Sequence, residues 1–177
     1  FRTAGFSSID QARLTDSTKL VGVILMFIGA SPASTGGGVK TTTMSVVLLL
    51  IASVIRGRDT VRIFHKQLPP DTVKRALTIV VISLSLILVC TCALSISERA
   101  SGKSMIDLAY EATSAFATVG LSAAGTQTLN PFSQALLIPL MYFGRVGPLT
   151  LAFALASRTN DNPKNRLHFP EEKIMIG

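Results

Sequence analysis

Two apolar runs near the start of the chain, Leu20 to Ala30 and Met44 to Ile55, are separated by Ser31-Pro-Ala-Ser-Thr-Gly-Gly-Gly-Val-Lys-Thr-Thr-Thr43. As one helix, residues 20–55 would extend roughly 54 Å at about 1.5 Å per residue, well beyond a hydrocarbon core of about 30 Å. Pro32 and the three consecutive glycines stop that helix in its middle. A break at membrane depth leaves backbone amides and carbonyls without partners. Lipid does not tolerate them unless protein buries them or they line a watery cavity. The pattern therefore predicts a broken membrane helix that borders a permeation path. Ala76 to Ser97 carries no charge and predicts a complete transmembrane helix. Ala112 to Gly144 is also uncharged, but Pro, Gly, Asn and Ser punctuate it.

Composition agrees with a membrane chain: 48% of the 177 residues are hydrophobic and 15% are charged. Mean hydropathy is +0.48. The net charge of +7 raises the question of nucleic acid. The basic residues form no stripe, however, and cluster beside the ends of apolar runs, where they act as topology signals. Nucleic-acid binding is excluded on that ground. Cys90 and Cys92 lie inside the apolar helix at a spacing that points them to different faces, so both are expected to be small buried hydrophobes. His65 and His168 stand alone in basic segments, with no metal or triad constellation. The chain starts at Phe1 without Met or a signal-peptide pattern, and is expected to be a piece of a longer one.

The chain also repeats itself. At an ungapped offset of 115, Thr3-Ala-Gly5-Phe matches Thr118-Val-Gly120-Leu, Ser7 matches Ser122, and Leu14 matches Leu129. Leu25-Met26-Phe-Ile-Gly29 likewise matches Leu140-Met141-Tyr-Phe-Gly144. The orientation of the two units follows from charge. Arg56, Arg58, Arg62, Lys66, Lys74 and Arg75 place the segment 56–75 in the cytoplasm. Helix 76–97 then exits, leaving Glu98 to Lys103 outside. The tail, with Arg158, Lys164, Arg166 and Lys173, lies inside again. A helix over 133–157 supplies that return if Ile106 to Ala117 is a short re-entrant helix coming back through Thr118–Leu121. Both units then run the same way, unlike an inverted repeat. Short helix, T-x-G-x segment and inner helix compose a pore-loop unit. The negative end of the short helix's dipole favours a dehydrated cation, and the glycine permits the left-handed backbone that turns carbonyls toward it. A bent helix hairpin with a glycine turn is the plainer alternative.

Three charged residues stand out. Arg145 falls at the centre of the expected helix 133–157, about 18 Å from either end. A charge there costs several kcal/mol unless it faces water or a partner. It either controls passage or pairs with a carboxylate outside this sequence. Lys40 ends the glycine run and either faces a cytoplasmic vestibule or caps exposed carbonyls. Glu111 either draws cations to the outer mouth or sits solvated at an edge. The run Gly36-Gly-Gly-Val-Lys40 superficially suggests a phosphate loop, but Val39 separates glycine from lysine where that motif needs Gly-Lys-Ser/Thr. A glycine kink for helix packing is the structural alternative. No enzyme chemistry is expected.

At this point four segments resemble one family: Thr3-Ala-Gly-Phe6, the run Gly29 to Thr43, Ala117-Thr-Val-Gly-Leu-Ser122 and Met141-Tyr-Phe-Gly-Arg-Val-Gly-Pro148. The chain is similar to the Trk/Ktr/HKT superfamily of potassium transporters, most of all to the membrane subunit of bacterial Ktr systems. The ending Pro170-Glu-Glu-Lys-Ile-Met-Ile-Gly177 also looks like that subunit's. The resemblance implies an all-α membrane protein with parallel pore-loop repeats and one inner helix broken by a glycine-rich loop. Residues 1–58 would be the third repeat from its filter onward and 59–71 a cytoplasmic linker. Residues 72–158 would be the fourth repeat, followed by a cytoplasmic tail over 159–177. Thr3, Ala4, Gly5 and Phe6 would line the K+ filter together with Thr118, Val119, Gly120 and Leu121. Ser34, Thr35, Gly36, Gly37, Gly38, Lys40 and Arg145 would form the gate beneath it. K+ is the implied cargo, moving passively or with Na+. The implied partners are the missing N-terminal repeats, a second copy in a homodimer, membrane lipid, and cytosolic RCK-type subunits that carry the nucleotide. The 56–75 segment and the tail are the surfaces for such a partner or for anionic lipid. A Trk-type subunit and a non-conducting membrane scaffold are the alternatives.

Overall fold

The computed structural model describes residues 4–32, 34–57, 62–63 and 66–147. Five α-helices carry the architecture: α1 (Asp16–Phe27), α2 (Thr41–Ile55), α3 (Pro70–Ser97), α4 (Met105–Phe116) and α5 (Pro131–Val146). A two-residue ribbon, β1 (Arg62–Ile63) against β2 (Lys66–Gln67), joins α2 to α3. The expected tail over 158–177, with Arg158, and both histidines lie outside the described residues.

Sequence explains where each helix starts and stops. The helix expected over 76–97 begins earlier, at Pro70, where a proline in the first turn and Asp71 suit an N-terminus. Its 28 residues extend about 42 Å, so the charged first turns project beyond a hydrocarbon core of about 30 Å. Among the described residues α3 is the one helix long and apolar enough to cross a membrane. The short helix expected over 106–117 is α4, displaced by one residue. Of the helix expected over 133–157, the described part ends at Val146, with Gly147 at φ +91° and Pro148 next in sequence, and 148–157 lie outside the described residues. That pair stops a helix, and Arg145 consequently lies in the last turn of α5 rather than at mid-helix.

The repeat is visible element by element. Short 3₁₀ turns cover Gln11–Arg13 and Thr126–Thr128, and helices start at Asp16 and Pro131. Each pair is separated by 115 residues, as 126 − 11 and 131 − 16 both give. Gly5 and Gly120, at the same separation, both have positive φ, +69° and +84°.

Apolar side chains cover much of the outside as well as the inside, and several polar ones are buried. Leu20, Ile24, Leu48, Ile51, Leu84 and Leu88 are exposed, whereas Ser83, Glu98, Glu111, Thr113, Ser114 and Ser133 are buried. Apolar outer faces of this extent need covering by lipid or protein. At the centre lies α4, whose residues Glu111 to Phe116 are all buried against α1, α3 and α5. Leu94, Leu108, Ala112, Phe116, Leu137 and Leu140 form the apolar core between α3, α4 and α5. Cys90 joins that core as expected, but Cys92 is exposed, since two residues of helix turn it to the outer face.

Two carboxylates tie the helices together. Asp107 accepts from Lys19 Nζ at 2.6 Å, joining α4 to α1 through a lysine that is 5% exposed. Glu98, just past α3, accepts from the Ser101 hydroxyl, the Asn130 backbone N–H and the Ser133 hydroxyl at 2.7, 2.7 and 2.8 Å. It thereby anchors the start of α5. These donors, the Ser101 hydroxyl foremost, hold its carboxyl below the usual carboxylate range, against the opposing effect of burial. A depressed pKa means a stabilisation that is complete above the ordinary value of 4.5 and lost as pH falls through the folded-state value. Glu98→Gln is therefore expected to lower the thermal midpoint of the detergent-solubilised protein near neutral pH. The deficit should shrink steadily as the buffer is acidified below about pH 4.5. A deficit that stays constant across that range would contradict this role.

Candidate functional site

The loop between α1 and α2 closes on itself at its neck. Gly29 N–H donates to Val39 O at 2.7 Å, Val39 N–H to Phe27 O at 3.2 Å, and Thr41 N–H to Ala30 O at 3.3 Å. Those bonds pair Ile28 with Val39 in parallel and bring the two half-helices side by side. Inside the loop Lys40 Nζ donates to the carbonyls of Gly36 and Ser34 at 2.7 and 3.2 Å. Of the two roles open to Lys40, the structure therefore shows carbonyl capping. Gly36, Gly37 and Gly38 are buried, while Ser34 and Thr35 are exposed.

A second turn forms where α4 ends. Ala117 N–H donates to Thr113 O, Thr118 N–H to Ala115 O, and Val119 N–H to Ser114 O, all between 2.9 and 3.1 Å. Thr118 takes φ +54°, which costs an L-residue roughly 1 kcal/mol or more, and Gly120 takes +84°. The Gly5 segment comes directly alongside. A Cβ on Gly120 would lie 2.9 Å from Gly5 Cα, and one on Gly5 would lie 3.8 Å from the carbonyl oxygens of both Val119 and Gly120. The two repeat-related glycines thus abut, backbone to backbone. Ala4 and Phe6 are exposed, Phe6 at 83%, and Thr3 lies outside the described residues. Val119 is buried, and Thr118 and Leu121 are half-buried.

The glycine loop docks on this turn. Gly37 N–H donates to Thr118 Oγ1 at 2.9 Å, and a side chain on Gly37 would meet Phe116 O at 2.9 Å. Gly38 N–H donates to Gly144 O at 3.3 Å, which joins the loop to α5. Gly144 in turn presses on α4: a Cβ there would lie 1.7 Å from Phe116 O. Arg145 is adjacent in sequence to this junction and exposed, and its side chain makes no hydrogen bond or ion pair among the described residues. The candidate gate residues Gly37 and Gly38 are therefore brought against Ala117 and the candidate filter residue Thr118, while Gly120 meets Gly5. Ser34, Thr35 and Arg145 lie at the margin.

Of the two expectations for Glu111, the solvated edge is the one its burial overturns. It is 4% exposed, so it is no solvated edge, and its carboxylate accepts hydrogen bonds from the hydroxyls of Ser122 and Thr126 in the loop after the turn. Two further participants carried no signal as site residues: Gly29 and Gly144 were visible as repeat matches, but their close backbone contacts were not. No group of three or more His, Cys, Asp or Glu side chains that could hold a metal ion occurs among the described residues. The oxygen-rich surfaces here are backbone carbonyls and hydroxyls, ligands suited to hard cations.

Lys40→Met removes both carbonyl contacts while leaving most of the stem, and should loosen the loop by about 1–3 kcal/mol. Hydrogen exchange at the amides of residues 36–38 is the readout, with faster exchange expected there and unchanged exchange in α4. Equal protection in variant and wild type would show that Lys40 does not hold the loop.

Comparison with known proteins shows the family. Residues 1–163 match the TrkH family, described as cation transport protein. The chain is 34% identical over 176 residues to Ktr system potassium uptake protein D of Bacillus subtilis, covering 99% of this chain and 38% of that protein. It is 37% identical over 177 residues to potassium/sodium uptake protein NtpJ of Enterococcus hirae, covering 99% and 39%. It is 36% identical over 177 residues to Ktr system potassium uptake protein B of Vibrio alginolyticus, covering 99% and 37%. The chain thus spans less than two-fifths of the length of these relatives. With a family match over 163 of 177 residues, this chain belongs to the TrkH family of cation transport proteins.

Proposed function

We propose that this chain forms two adjoining sectors of a potassium uptake pathway in a multi-pass membrane protein. One observation carries the reading: Gly5 and Gly120, repeat-related and both left-handed, abut at the end of α4, with the glycine loop docked on Thr118. Residues 3–6 and 118–121 supply carbonyls and a threonine hydroxyl that replace the hydration shell of K+. The C-terminal end of α4 adds its negative dipole at the same place. Further repeats in a longer polypeptide complete the ring. On this reading residues 1–58 belong to a third pore-loop unit and 72–158 to a fourth, joined by a linker over 59–71 and followed by a tail over 159–177.

The loop acts as the gate. Ser34 to Gly38 obstruct the path below Thr118, held by Lys40 and by the amides of Gly37 and Gly38. Arg145, next to the junction at Gly144, sets a positive charge beside that obstruction and raises the barrier to a cation. The names of the relatives, which include potassium uptake and potassium/sodium uptake, support K+ as cargo with Na+ as a coupled or competing ion. Assembly follows the Ktr pattern: a homodimer in lipid on cytosolic RCK-type subunits, which hold the nucleotide.

The test is ⁸⁶Rb⁺ uptake by the full-length gene product in a bacterial strain lacking its own potassium uptake. Wild type should restore uptake that K+ competes with strongly and Na+ weakly. Gly120→Ser forces a side chain onto a left-handed position against Gly5 and should sharply increase inhibition by Na+. Absence of uptake by wild type would overturn the reading. Unchanged Na+ competition in the variant would remove Gly120 from the filter.

A further inference from the structure

Consecutive residues of α4 reach into the two repeat-related loops. Glu111, on one side, accepts from Ser122 Oγ at 2.7 Å through Oε2 and from the Thr126 hydroxyl through Oε1. The Ser122 oxygen in turn accepts from the backbone N–H groups of Gly125 and Thr126 at 3.0 and 3.1 Å. Tyr110, on the other side, donates its hydroxyl to Gln11 Oε1 at 2.8 Å, and Gln11 Nε2 donates to Ser7 Oγ at 2.9 Å. Ser7 and Ser122 are partners at the repeat offset of 115, as are Gln11 and Thr126. The same loop in two repeats is thus held by neighbouring side chains of one helix, each through different chemistry.

Location makes this a constraint on the turn rather than on the surface. Tyr110 is fully buried and Glu111 is 4% exposed, while their partners Gln11, Ser122 and Thr126 are half-buried. Among the described residues no lysine or arginine pairs with Glu111; its donors are hydroxyls of the loop it holds. The four residues 118–121 are consequently fixed at both ends by α4. Val119 N–H bonds Ser114 O at one end, and Ser122 bonds Glu111 at the other. In the other repeat Gly5 is followed two residues later by Ser7, held through Gln11 by Tyr110.

We infer that Tyr110 and Glu111 form a shared strut that sets the spacing of the two glycine turns, and are positioning residues for ion discrimination. The inference rests on the proposed filter reading. Discrimination between cations of similar charge depends on ligand spacing, so a loosened strut alters the Na+ to K+ preference more than the maximal rate.

The experiment measures ⁸⁶Rb⁺ uptake by the full-length protein in membranes, with maximal rate, apparent affinity and inhibition by Na+ determined separately. Membrane abundance is followed in parallel. Tyr110→Phe deletes one oxygen and keeps the ring. Glu111→Gln keeps an acceptor for one hydroxyl, and Glu111→Ala keeps none. Loss of one buried hydrogen bond should shift the ratio of Na+ inhibition constant to Rb+ affinity by about threefold to tenfold in Tyr110→Phe. The shift should be larger in Glu111→Ala than in Glu111→Gln. If Glu111→Ala fails to reach the membrane, Tyr110→Phe and Glu111→Gln decide the matter. An unchanged ratio in transporting variants, or a loss of rate that merely follows abundance, overturns the strut while leaving the filter reading intact. A wild type that takes up no ⁸⁶Rb⁺ overturns both.

Discussion

The N–H of Gly37 ties the glycine loop to the turn after α4 by donating to Thr118 Oγ1. That bond is possible because three backbones approach to distances no side chain allows. A Cβ on Gly29 would lie 2.3 Å from Gly37 O, one on Gly37 2.9 Å from Phe116 O, and one on Gly144 1.7 Å from Phe116 O. The ends of α1, α4 and α5 therefore converge on one small volume, with the loop wedged into it. The neck bonds from Gly29, Val39 and Thr41 satisfy groups that the interruption of the helix sets free. Polar backbone at membrane depth is tolerated on that condition.

The parts of this junction differ in how firmly they are held. From Glu111 to Phe116, α4 is buried on all sides and its apolar core contacts extend into α3 and α5. The base of the loop, Gly36 to Val39, is buried as well, but its tip at Ser34 and Thr35 is exposed and is tied down by a few polar contacts of about 1 kcal/mol net each. Elements with few apolar contacts open at low free-energy cost, whereas packed cores do not. On the proposed reading the firmly packed turn is the filter and the loop is the gate that moves against it.

Much of this arrangement is legible in residue order. The offset of 115 is local in each copy, so Gly5 and Gly120, the two 3₁₀ turns and the starts of α1 and α5 all follow from it. The short helix before Thr118 follows as well, because its apolar length cannot span a bilayer. What residue order hides is partnership. Glu111 finds its acceptor role 11 and 15 residues downstream across a turn, and Tyr110 meets Gln11 across 99 residues. Neither spacing belongs to a helix or strand period. Hydropathy alone extends the last helix to residue 157 and so puts Arg145 at its centre. Left-handed Gly147 instead ends α5.

As a gate, the loop must line a wet path beneath the turn rather than pack among greasy neighbours. Aqueous thiol labelling addresses this directly, using single cysteines at Ser34 and Thr35 in a background lacking Cys90 and Cys92. Membrane-impermeant reagent should modify both positions from the cytoplasmic side, and removal of the Lys40 amine should speed the reaction. Complete protection from both sides of the membrane, with and without potassium, would contradict the account.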